Sequence, residues 1–415
     1  MNTLRRHALY SIIGLLAITL TACSSVSAPS SPLPAPLLET GAAPGYSGPS
    51  ASSAASAPPV VTERQEATLL AVGDIMVHMP QLPAYYNMAT KKYDLTPWFS
   101  QVKPLFLNAD WVIGNLETPI AGEDLKYTGF PRFNAPYELA EALADAGVSL
   151  VSTANNHSLD RGFPGIKRTL NNLREAGLIP VGTAESSEQA LETVIVERNG
   201  IRMGFLSYTY GTNGIPIPSD KPYAVNLIEL NSIKKDIIKL RKADADIITV
   251  SLHFGQEYQR LPNEAQKSIA YEIVQAGGDI ILGSHPHVVQ PFEEIQIPAS
   301  ESEDGLPHRG VVIYSLGNFI SNQTGDWKDV GLIFGVRVVK TRQSDGSTST
   351  TWDTVTTEPT WVHIHRKDQK RYYTIFPLKS VLINKDAPDL TESDYSKMKN
   401  LLSGINKHLL ILQAP

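Results

Sequence analysis

Six apolar stretches of this chain each end in polar side chains of the kinds that bind metal ions. They read AVGDIMVH, VIGNLETP, STANNHSLDRG, TVSLHFGQE, ILGSHPHVVQ and IYSLGNF. Ligands of an open α/β sheet bind outside the carboxyl ends of its strands, so polar residues that follow successive strands are expected to face one cavity. The residues placed there are Asp74, Glu117, Asn156, His157, His253, His285 and His287. This mixture of carboxylate, amide and imidazole groups predicts a metal site.

Short β-type runs alternate with helical patterns through the middle of the chain. The predicted strands include TLLAV, WVIG, VSLVSTA, RMGFLSYTY, DIITVSL and DIILG. The helical patterns between them are ELAEALADAG, FPGIKRTLNNLREAG, SIKKDIIKLRKA and NEAQKSIAYEIVQAG. Such alternation predicts an α/β fold of βαβ units with a largely parallel sheet. Gly147, Gly177 and Gly277 follow three of the helical patterns and predict left-handed residues at the helix ends.

The later segments VVIYSL and GLIFGVRVVK have no long helix between them, and they predict antiparallel pairing. A Ser- and Thr-rich stretch at residues 341–357 predicts a hairpin before WVHIHRK and YYTIFPL. We therefore expect one domain at residues 67–340, with a β-rich extension at residues 341–415 packed on it.

The N-terminus has the pattern of a secretory signal. Arg5 and Arg6 precede an apolar run from Ala8 to Leu20, and small residues lead to Cys23. Residues 1–22 are thus predicted to be a lipoprotein signal peptide, and Cys23 the lipidated residue that anchors an extracytoplasmic protein to the membrane. The alternative is an uncleaved membrane helix, but the run is shorter than the roughly 20 residues that a span requires.

Residues 23–66 are rich in Ser, Ala and Pro and show neither helical nor strand periodicity, which predicts a disordered tether. The chain has a formal net charge of −6 and a pI near 6.0. This charge offers no general attraction to nucleic acid, and no nucleic-acid partner is expected. An anionic substrate must therefore be held by local cations.

His285 and His287 flank Pro286 in GSHPHV. Residues two apart in extended backbone point to the same side, so both imidazoles are expected to reach one ion. Two ordinary surface histidines are the alternative. His253, which follows the strand ITVSL, is a weaker candidate by itself.

The segment ANNHSLDRG joins a predicted strand to a helix that begins near Gly162. The amide oxygen of Asn156 can bind a metal, His157 can protonate a leaving oxygen, and Asp160 can fix the tautomer of His157. The alternative is that Asn155 or Asp160 serves as the helix N-cap.

Asp74 and Glu117 place carboxylates at two further strand ends. Hard oxygen ligands mixed with imidazoles suit Mn, Fe or Zn, and such an ion lowers the pKa of bound water. His78 lies four residues after Asp74, and a solvent-exposed side chain is the simpler interpretation for it.

The ordered series GDIMVH, GNLETP, NNHSLDRG, SLHFG, SHPHVVQP and YSLGNF, from Leu69 to Phe319, resembles the CapA or PgsA family of poly-γ-glutamate capsule synthesis proteins. That family is similar to the calcineurin-like metallophosphoesterases, so the resemblance implies a four-layer α/β/β/α sandwich. It places Asn156 and His157 on the superfamily's Asn-His pair, His253 on its isolated histidine, and His285 with His287 on its final His-x-His.

Two positions depart from the metallophosphoesterase pattern. Met76 stands where a histidine is expected after Asp74, and Gly114-Asn115 replaces the Gly-Asp that bridges two metals, with Glu117 two residues later. The chain is therefore compatible with one ion, with two ions bridged through Glu117, or with none.

Arg132, Arg161 and Asn318 are the residues assigned to substrate binding. A guanidinium group suits carboxylate or phosphate, although exposed arginines without a ligand are the alternative. The resemblance implies a role in the synthesis, export or retention of poly-γ-glutamate or another anionic polymer, beside membrane-bound synthase components. A metal-dependent hydrolase, a polymer-binding assembly factor without activity, and an extracellular metallophosphoesterase all remain open.

Overall fold

Two β-sheets packed face to face form the centre of the protein. The structure is a computed structural model that describes residues 60–302, 305–385, 387 and 389–413. The strands within these residues are β1 (Val61–Ile75), β2 (Tyr86–Asn87), β3 (Lys92–Tyr93), β4 (Trp111–Leu116), β5 (Leu150–Ser152), β6 (Ile179–Val181), β7 (Val194–Arg198), β8 (Ile201–Thr209), β9 (Ile247–His253), β10 (Ile280–Ser284), β11 (Phe292–Ile297), β12 (His308–Ile313), β13 (Asn318–Ile320), β14 (Val330–Gln343), β15 (Thr348–Lys367) and β16 (Lys370–Pro377). The helices are α1 (Lys103–Phe106), α2 (Glu138–Ala146), α3 (Gly162–Glu175), α4 (Ser187–Ala190), α5 (Leu230–Lys242), α6 (Glu264–Gln275), α7 (Leu378–Asn384) and α8 (Glu392–Leu409).

The first sheet has eight strands in the order β16-β15-β14-β1-β4-β5-β6, with β13 paired to the end of β1. Its strands β1, β4, β5 and β6 run parallel, whereas β14, β15 and β16 are antiparallel to their neighbours. The second sheet has six strands in the order β11-β12-β10-β9-β8-β7, and its four central strands are parallel. The predicted antiparallel pairing of GLIFGVRVVK is thus confirmed.

The core follows the alternation of side chains along each strand. Leu69 and Trp111 of the first sheet pack against Phe205 and Ile280 of the second sheet in the layer between them. On the outer faces, α2 covers the first sheet, and α5 and α6 cover the second sheet. The layers are therefore helix, sheet, sheet and helix, and the predicted α/β class and α/β/β/α sandwich are confirmed.

The predicted helix ends are also confirmed. Gly147, Gly177 and Gly277 have φ values of 100°, 84° and 96°, a conformation that glycine adopts without a side-chain clash. In the described residues, no helix combines the length and the apolar character needed to cross a bilayer.

The strand boundaries differ from expectation near both ends of the domain. β1 begins at Val61 inside the expected tether, because residues 61–66 pair with β14, although their polar side chains hide the strand from the sequence pattern. The signal peptide, Cys23 and the tether up to residue 59 lie outside the described residues. At the other end, β14 crosses residue 340, and β15 and β16 continue the first sheet. The described residues belong to one compact unit.

The segment VVIYSL differs from expectation as well. Its strand β12 lies in the second sheet, parallel to β10 and antiparallel to β11, and it does not pair with β14. The Ser- and Thr-rich stretch forms the β14–β15 hairpin as predicted, with a turn at residues 344–347.

The carboxyl ends of parallel strands from both sheets meet at one edge of the sandwich. Asp74 is in register with Asn115 in the first sheet, and His253 is in register with Ser284 in the second sheet. The backbones approach closely here, since a Cβ atom added at Gly73 would lie 1.9 Å from the carbonyl oxygen of Gly317. The fold thus brings the polar segments that follow these strands into one place.

Candidate metal centre

Six of the side chains predicted to bind a metal converge at this edge. Each of them is at most 5% exposed: Asp74, Glu117, Asn156, His253, His285 and His287. They follow or end strands β1, β4, β5, β9 and β10. Buried ionisable groups are costly unless they are paired or bind a metal, so their gathering in one interior site requires a chemical reason.

One possible ligand group consists of Asp74, Glu117 and His287, whose ligand atoms all lie within 4.8 Å of one another. Nδ1 of His287 lies 2.9 Å from Oδ2 of Asp74. Nε2 of the same ring lies 3.9 Å from Oε1 of Glu117. This set offers one imidazole and two carboxylates to an ion.

A second group consists of Glu117, His253 and His285, within the same limit of 4.8 Å. Nε2 of His253 lies 3.5 Å from Oε1 of Glu117 and 3.0 Å from Oδ1 of Asn156. The two groups therefore share Glu117. A third group, formed by Glu257 with His285 and His287, includes a carboxylate that is exposed to solvent.

Three buried polar atoms in the site have no hydrogen-bond partner among the described residues. They are Oε1 of Glu117, Oδ1 of Asn115 and Nδ1 of His285. An unsatisfied buried polar atom costs roughly 1–3 kcal/mol, and a bound cation would satisfy the lone pairs of these atoms. The residues present thus fit a divalent transition metal with nitrogen and oxygen ligands.

The charges of the site also favour a cation. Burial raises the pKa of Glu117 well above its usual range, and the neighbouring Asp74 carboxylate raises it further. Burial lowers the pKa of His285 to about 4, and it lowers the pKa of His253 well below its usual value. Both imidazoles are therefore neutral at pH 7, which is the form that binds metals.

The His-Pro-His segment reaches the site with a backbone different from the predicted one. His285 and His287 have φ values of 97° and 58°, so neither residue is extended. Their ring centroids nevertheless lie 5.9 Å apart at the site. Positive φ at two residues with side chains is strained backbone of the kind found at functional sites, and the sequence pattern gives no sign of it.

Asn115 and Met76, the two residues that depart from the metallophosphoesterase pattern, both lie buried at the site. Nδ2 of Asn115 donates to Oδ1 of Asp74 at 2.8 Å and to Oε2 of Glu117 at 3.4 Å. Asn115 thereby holds the two acids side by side. Met76 is buried and places a thioether where an imidazole is expected.

Beside the candidate metal ligands lies a second pair of polar side chains, His157 and Asp160. Nδ1 of His157 is 2.7 Å from Oδ2 of Asp160, and the same carboxylate oxygen accepts a hydrogen bond from the backbone N–H of Phe133 at 2.6 Å. The ring of His157 also packs edge-on against Phe133. Neither Asn155 nor Asp160 caps α3, whose N-cap is Arg161 without a side-chain cap. The alternative of a capping role is therefore not observed.

Sequence reasoning missed Asn213, which contacts both halves of the site. Its Oδ1 accepts a hydrogen bond from Nδ2 of Asn156 at 3.2 Å, and its Nδ2 lies 3.5 Å from Nε2 of His157. In the sequence GTNGIP this residue has the appearance of an ordinary turn residue. Its φ of 50° agrees with a turn, so only the fold shows the contacts.

Tyr210 was missed as well. Its ring lies 4.7 Å from that of His285 and is stacked on that of His253. The side chain is half exposed.

The three predicted substrate contacts have different surroundings. Arg161 donates to the carbonyl oxygens of Arg132 at 3.1 Å and Asp160 at 3.3 Å, so its guanidinium holds a loop. Arg132 is exposed. Asn318 is buried and donates to the carbonyl oxygen of Lys328 at 2.8 Å. A substrate contact through these residues stays a prediction.

His78 is partly buried, in contrast to the solvent-exposed position expected for it. Its ring packs edge-on against Phe133, and its Nδ1 accepts a hydrogen bond from the N–H of Asn322 at 3.4 Å. Burial lowers the pKa of His78 to about 4.

Comparisons with known proteins identify relatives of this chain. The chain is 32% identical to the capsule biosynthesis protein CapA of Bacillus anthracis over 279 residues, which cover 65% of this chain and 63% of that protein. It is 31% identical to the PGA biosynthesis protein CapA of Bacillus subtilis over 256 residues, which cover 61% of this chain and 62% of that protein. The matches thus span somewhat less than two thirds of these relatives.

Among solved structures, the calcineurin-like phosphoesterase YfkN of Bacillus subtilis is similar with a TM-score of 0.41 and 14% identity, over 85% of this chain and 100% of that chain. The sequence profile of the family described as bacterial capsule synthesis protein PGA_cap matches residues 68–323, a range that contains every predicted metal ligand. The chain therefore belongs to the PGA_cap family of bacterial capsule synthesis proteins.

Proposed function

We propose that this protein is a metal-dependent hydrolase that acts outside the cytoplasm in the synthesis, export or retention of a poly-γ-glutamate capsule polymer. The observation that carries the proposal is the pair of overlapping ligand groups that share Glu117, with the His157–Asp160 pair beside them. A structural metal site needs no such pair at its border. The pair gives the site a proton donor in addition to its ligands.

The residues that would hold the metal are Asp74, Glu117, Asn156, His253, His285 and His287. A divalent ion bound there would lower the pKa of a coordinated water to near neutrality and would polarise a phosphoryl or carbonyl oxygen. Mn, Fe and Zn would all suit this ligand set, in which Glu117 belongs to both ligand groups.

His157 would supply the proton for the leaving group. Asp160 accepts from Nδ1 at 2.7 Å, which directs the other ring nitrogen, Nε2, away from Asp160 and towards Asn213. A carboxylate in this position stabilises the protonated imidazole. The Nε2 proton would pass to the leaving oxygen of a phosphoester or to the leaving nitrogen of an amide.

The names of the relatives support poly-γ-glutamate as the polymer on which this chain acts. Proteins with 31–32% identity carry the names capsule biosynthesis protein CapA and PGA biosynthesis protein CapA. We infer that this chain acts on the same class of polymer, together with membrane-bound synthase components. A lipid on Cys23, which lies outside the described residues, would hold it at the membrane.

The hydrolase proposal is tested with the full chain, purified without chelator and supplied with Mn, Fe or Zn. Turnover is measured on phosphomonoesters, phosphodiesters and poly-γ-glutamate, and His157→Gln is the matched variant. We expect metal-dependent turnover on at least one of these substrates and its loss in the variant. Turnover on none of them, or equal turnover in both proteins, would contradict the proposal and favour a polymer-binding assembly factor.

The membrane anchor is tested separately with Cys23→Ala in cells. We expect the variant to lose incorporation of labelled fatty acid and to leave the membrane fraction or accumulate as a precursor. Continued labelling of the variant would show that Cys23 is not the lipidated residue.

A further inference from the structure

The hairpin between β15 and β16 ends in a cluster of positive charges on a chain with a net charge of −6. The cross-strand pairs at its end are Arg366 with Arg371 and Lys367 with Lys370. We call these four residues the basic hairpin. Asp368 and Gln369 form its two-residue turn, with φ values of 49° and 61°. Such a turn matches the twist of the strands and sets the backbone positions of the four cations. Because side chains alternate along a strand, Arg366 and Arg371 lie on one face of the hairpin and Lys367 and Lys370 on the other.

The cations of the basic hairpin have no acidic partner within the described chain. Like charges directly opposite each other on neighbouring strands destabilise the pairing, and here two such pairs follow one another. Arg366, Lys367 and Lys370 are exposed, and Arg371 is partly buried. An anionic ligand would relieve this repulsion.

The basic hairpin is joined to the candidate metal centre through Asn322. Nη1 of Arg371 donates to Oδ1 of Asn322 at 2.7 Å. The backbone N–H of Asn322 in turn donates to Nδ1 of His78 at 3.4 Å. The ring of His78 packs on Phe133, which also packs on His157. Of the four cations, Arg371 is therefore the one linked to the site on the side of His78.

The other face of the hairpin borders an open cleft of about 750 Å³. Its lining includes Lys367 and His365 of β15, Tyr372 of β16 and Tyr85. Lys367 and the tyrosine side chains of this lining suit an extended ligand that carries repeated negative charges, whereas Asp94 and Asp389 of the same lining would repel it at their own positions.

We propose that the basic hairpin binds the carboxylates of an anionic polymer chain next to the metal centre. The identity of the polymer as poly-γ-glutamate rests on the proposed function, whereas the cation cluster and its position do not. Charge complementarity selects the ligand class, since Arg and Lys offer donors to successive carboxylates. The tip from Arg366 to Arg371 contains no apolar residue that could insert into a bilayer, which disfavours a lipid surface.

The test compares the full chain with two double variants. The first, the hairpin variant, combines Lys367→Gln with Lys370→Gln. Both residues are exposed, so folding is expected to be unaffected. The matched control is Lys235→Gln with Lys242→Gln, which removes the same charge from exposed positions of α5 on the second sheet. Each protein is treated with chelator, and its binding of poly-γ-glutamate of defined length is measured by calorimetry at low and at high salt. Metal uptake by each protein is determined in a separate measurement.

We expect the hairpin variant to bind the polymer roughly tenfold more weakly at low salt, since two exposed ion pairs are lost. Binding by the wild type should also weaken as salt screens the charges. Equal binding by the hairpin variant and the control would overturn the proposal. Binding to vesicles with anionic phosphatidylglycerol, and not to the polymer, would also overturn it.

An Arg366→Lys with Arg371→Lys variant keeps the charge and is expected to retain most of the binding. Since polymer binding is measured without metal, its loss is distinguishable from failure of the hydrolase proposal. A chain that takes up no metal but needs the hairpin for polymer binding would support the hairpin and contradict the hydrolase.

Discussion

Nδ1 of His157 lies 2.7 Å from Oδ2 of Asp160, and both side chains are buried beside the candidate metal ligands. The same carboxylate oxygen accepts the N–H of Phe133, so the position of Asp160 is fixed by the backbone. A histidine oriented in this way presents Nε2 to the site, where a leaving group needs a proton.

His157→Gln should lower turnover by roughly 10²–10⁴, the usual contribution of a positioned acid or base. The variant keeps a side chain of similar polarity and removes no predicted metal ligand, so its metal content should equal that of the wild type. Steady-state kinetics and elemental analysis on the same preparation check both statements. A variant that turns over normally would exclude His157 as the proton donor.

Asn213→Ala should lower metal affinity and turnover by roughly 10- to 100-fold, as do other losses of a residue that orients a metal ligand. The reason is that Oδ1 of Asn213 accepts from Asn156 and thereby orients its ligand oxygen. Metal competition with a chromogenic chelator measures affinity independently of activity. Unchanged affinity would show that Asn156 is oriented without this contact.

His78 should make the metal-free chain less stable in acid. Burial lowers its pKa to about 4 from 6.5, so between these values the unfolded chain binds a proton that the folded chain does not. Stability therefore falls as pH falls from 6.5 towards 4, and on the order of 1–2 kcal/mol of this loss at pH 5 belongs to His78.

His78→Asn removes the titrating group and keeps a hydrogen-bond acceptor. Urea unfolding of the chelated proteins at pH 7 and pH 5 should show a smaller loss of unfolding free energy in the variant. His253, His285 and Glu117 titrate in both proteins, so their contributions cancel in the comparison. Equal losses would contradict the buried, neutral state of His78.

Gly73→Ala should destabilise the fold by about 3 kcal/mol or more, because the added Cβ would lie 1.9 Å from the backbone oxygen of Gly317. Gly211→Ala is the control, because nothing lies within 4 Å of its Cβ position, and it should change stability by less than about 0.5 kcal/mol. Thermal unfolding of both variants measures the difference. If the two variants had similar stabilities, the backbones at Gly73 and Gly317 would lie further apart than the structure shows.

The order of elements could be predicted because each helix and strand of the α/β core has a local signal. Strand DIITVSL and helix NEAQKSIAYEIVQAG, for example, correspond to β9 and α6. The start of β1 could not be predicted, since residues 61–66, which are polar after Val61, gain their strand conformation only by pairing with β14. The sheet to which β12 belongs is likewise a long-range property that periodicity does not contain.

The convergence of the candidate metal ligands was predictable for a related reason. Parallel strands share an edge, so polar residues at strand ends gather whatever the details of the sheet. The positive φ of His285 and His287 and the contacts of Asn213 were not predictable. They depend on loops whose conformation is set by neighbours distant in sequence.

The metal content of the purified full chain tests the central claim most directly. The protein is expressed with Mn, Fe and Zn available, kept free of chelator, and analysed beside Glu117→Gln and the double variant His285→Ala with His287→Ala. We predict at least one transition-metal ion per wild-type chain, less in Glu117→Gln because both ligand groups share that residue, and little in the double variant. A folded wild-type chain that contains no metal under these conditions would contradict the account.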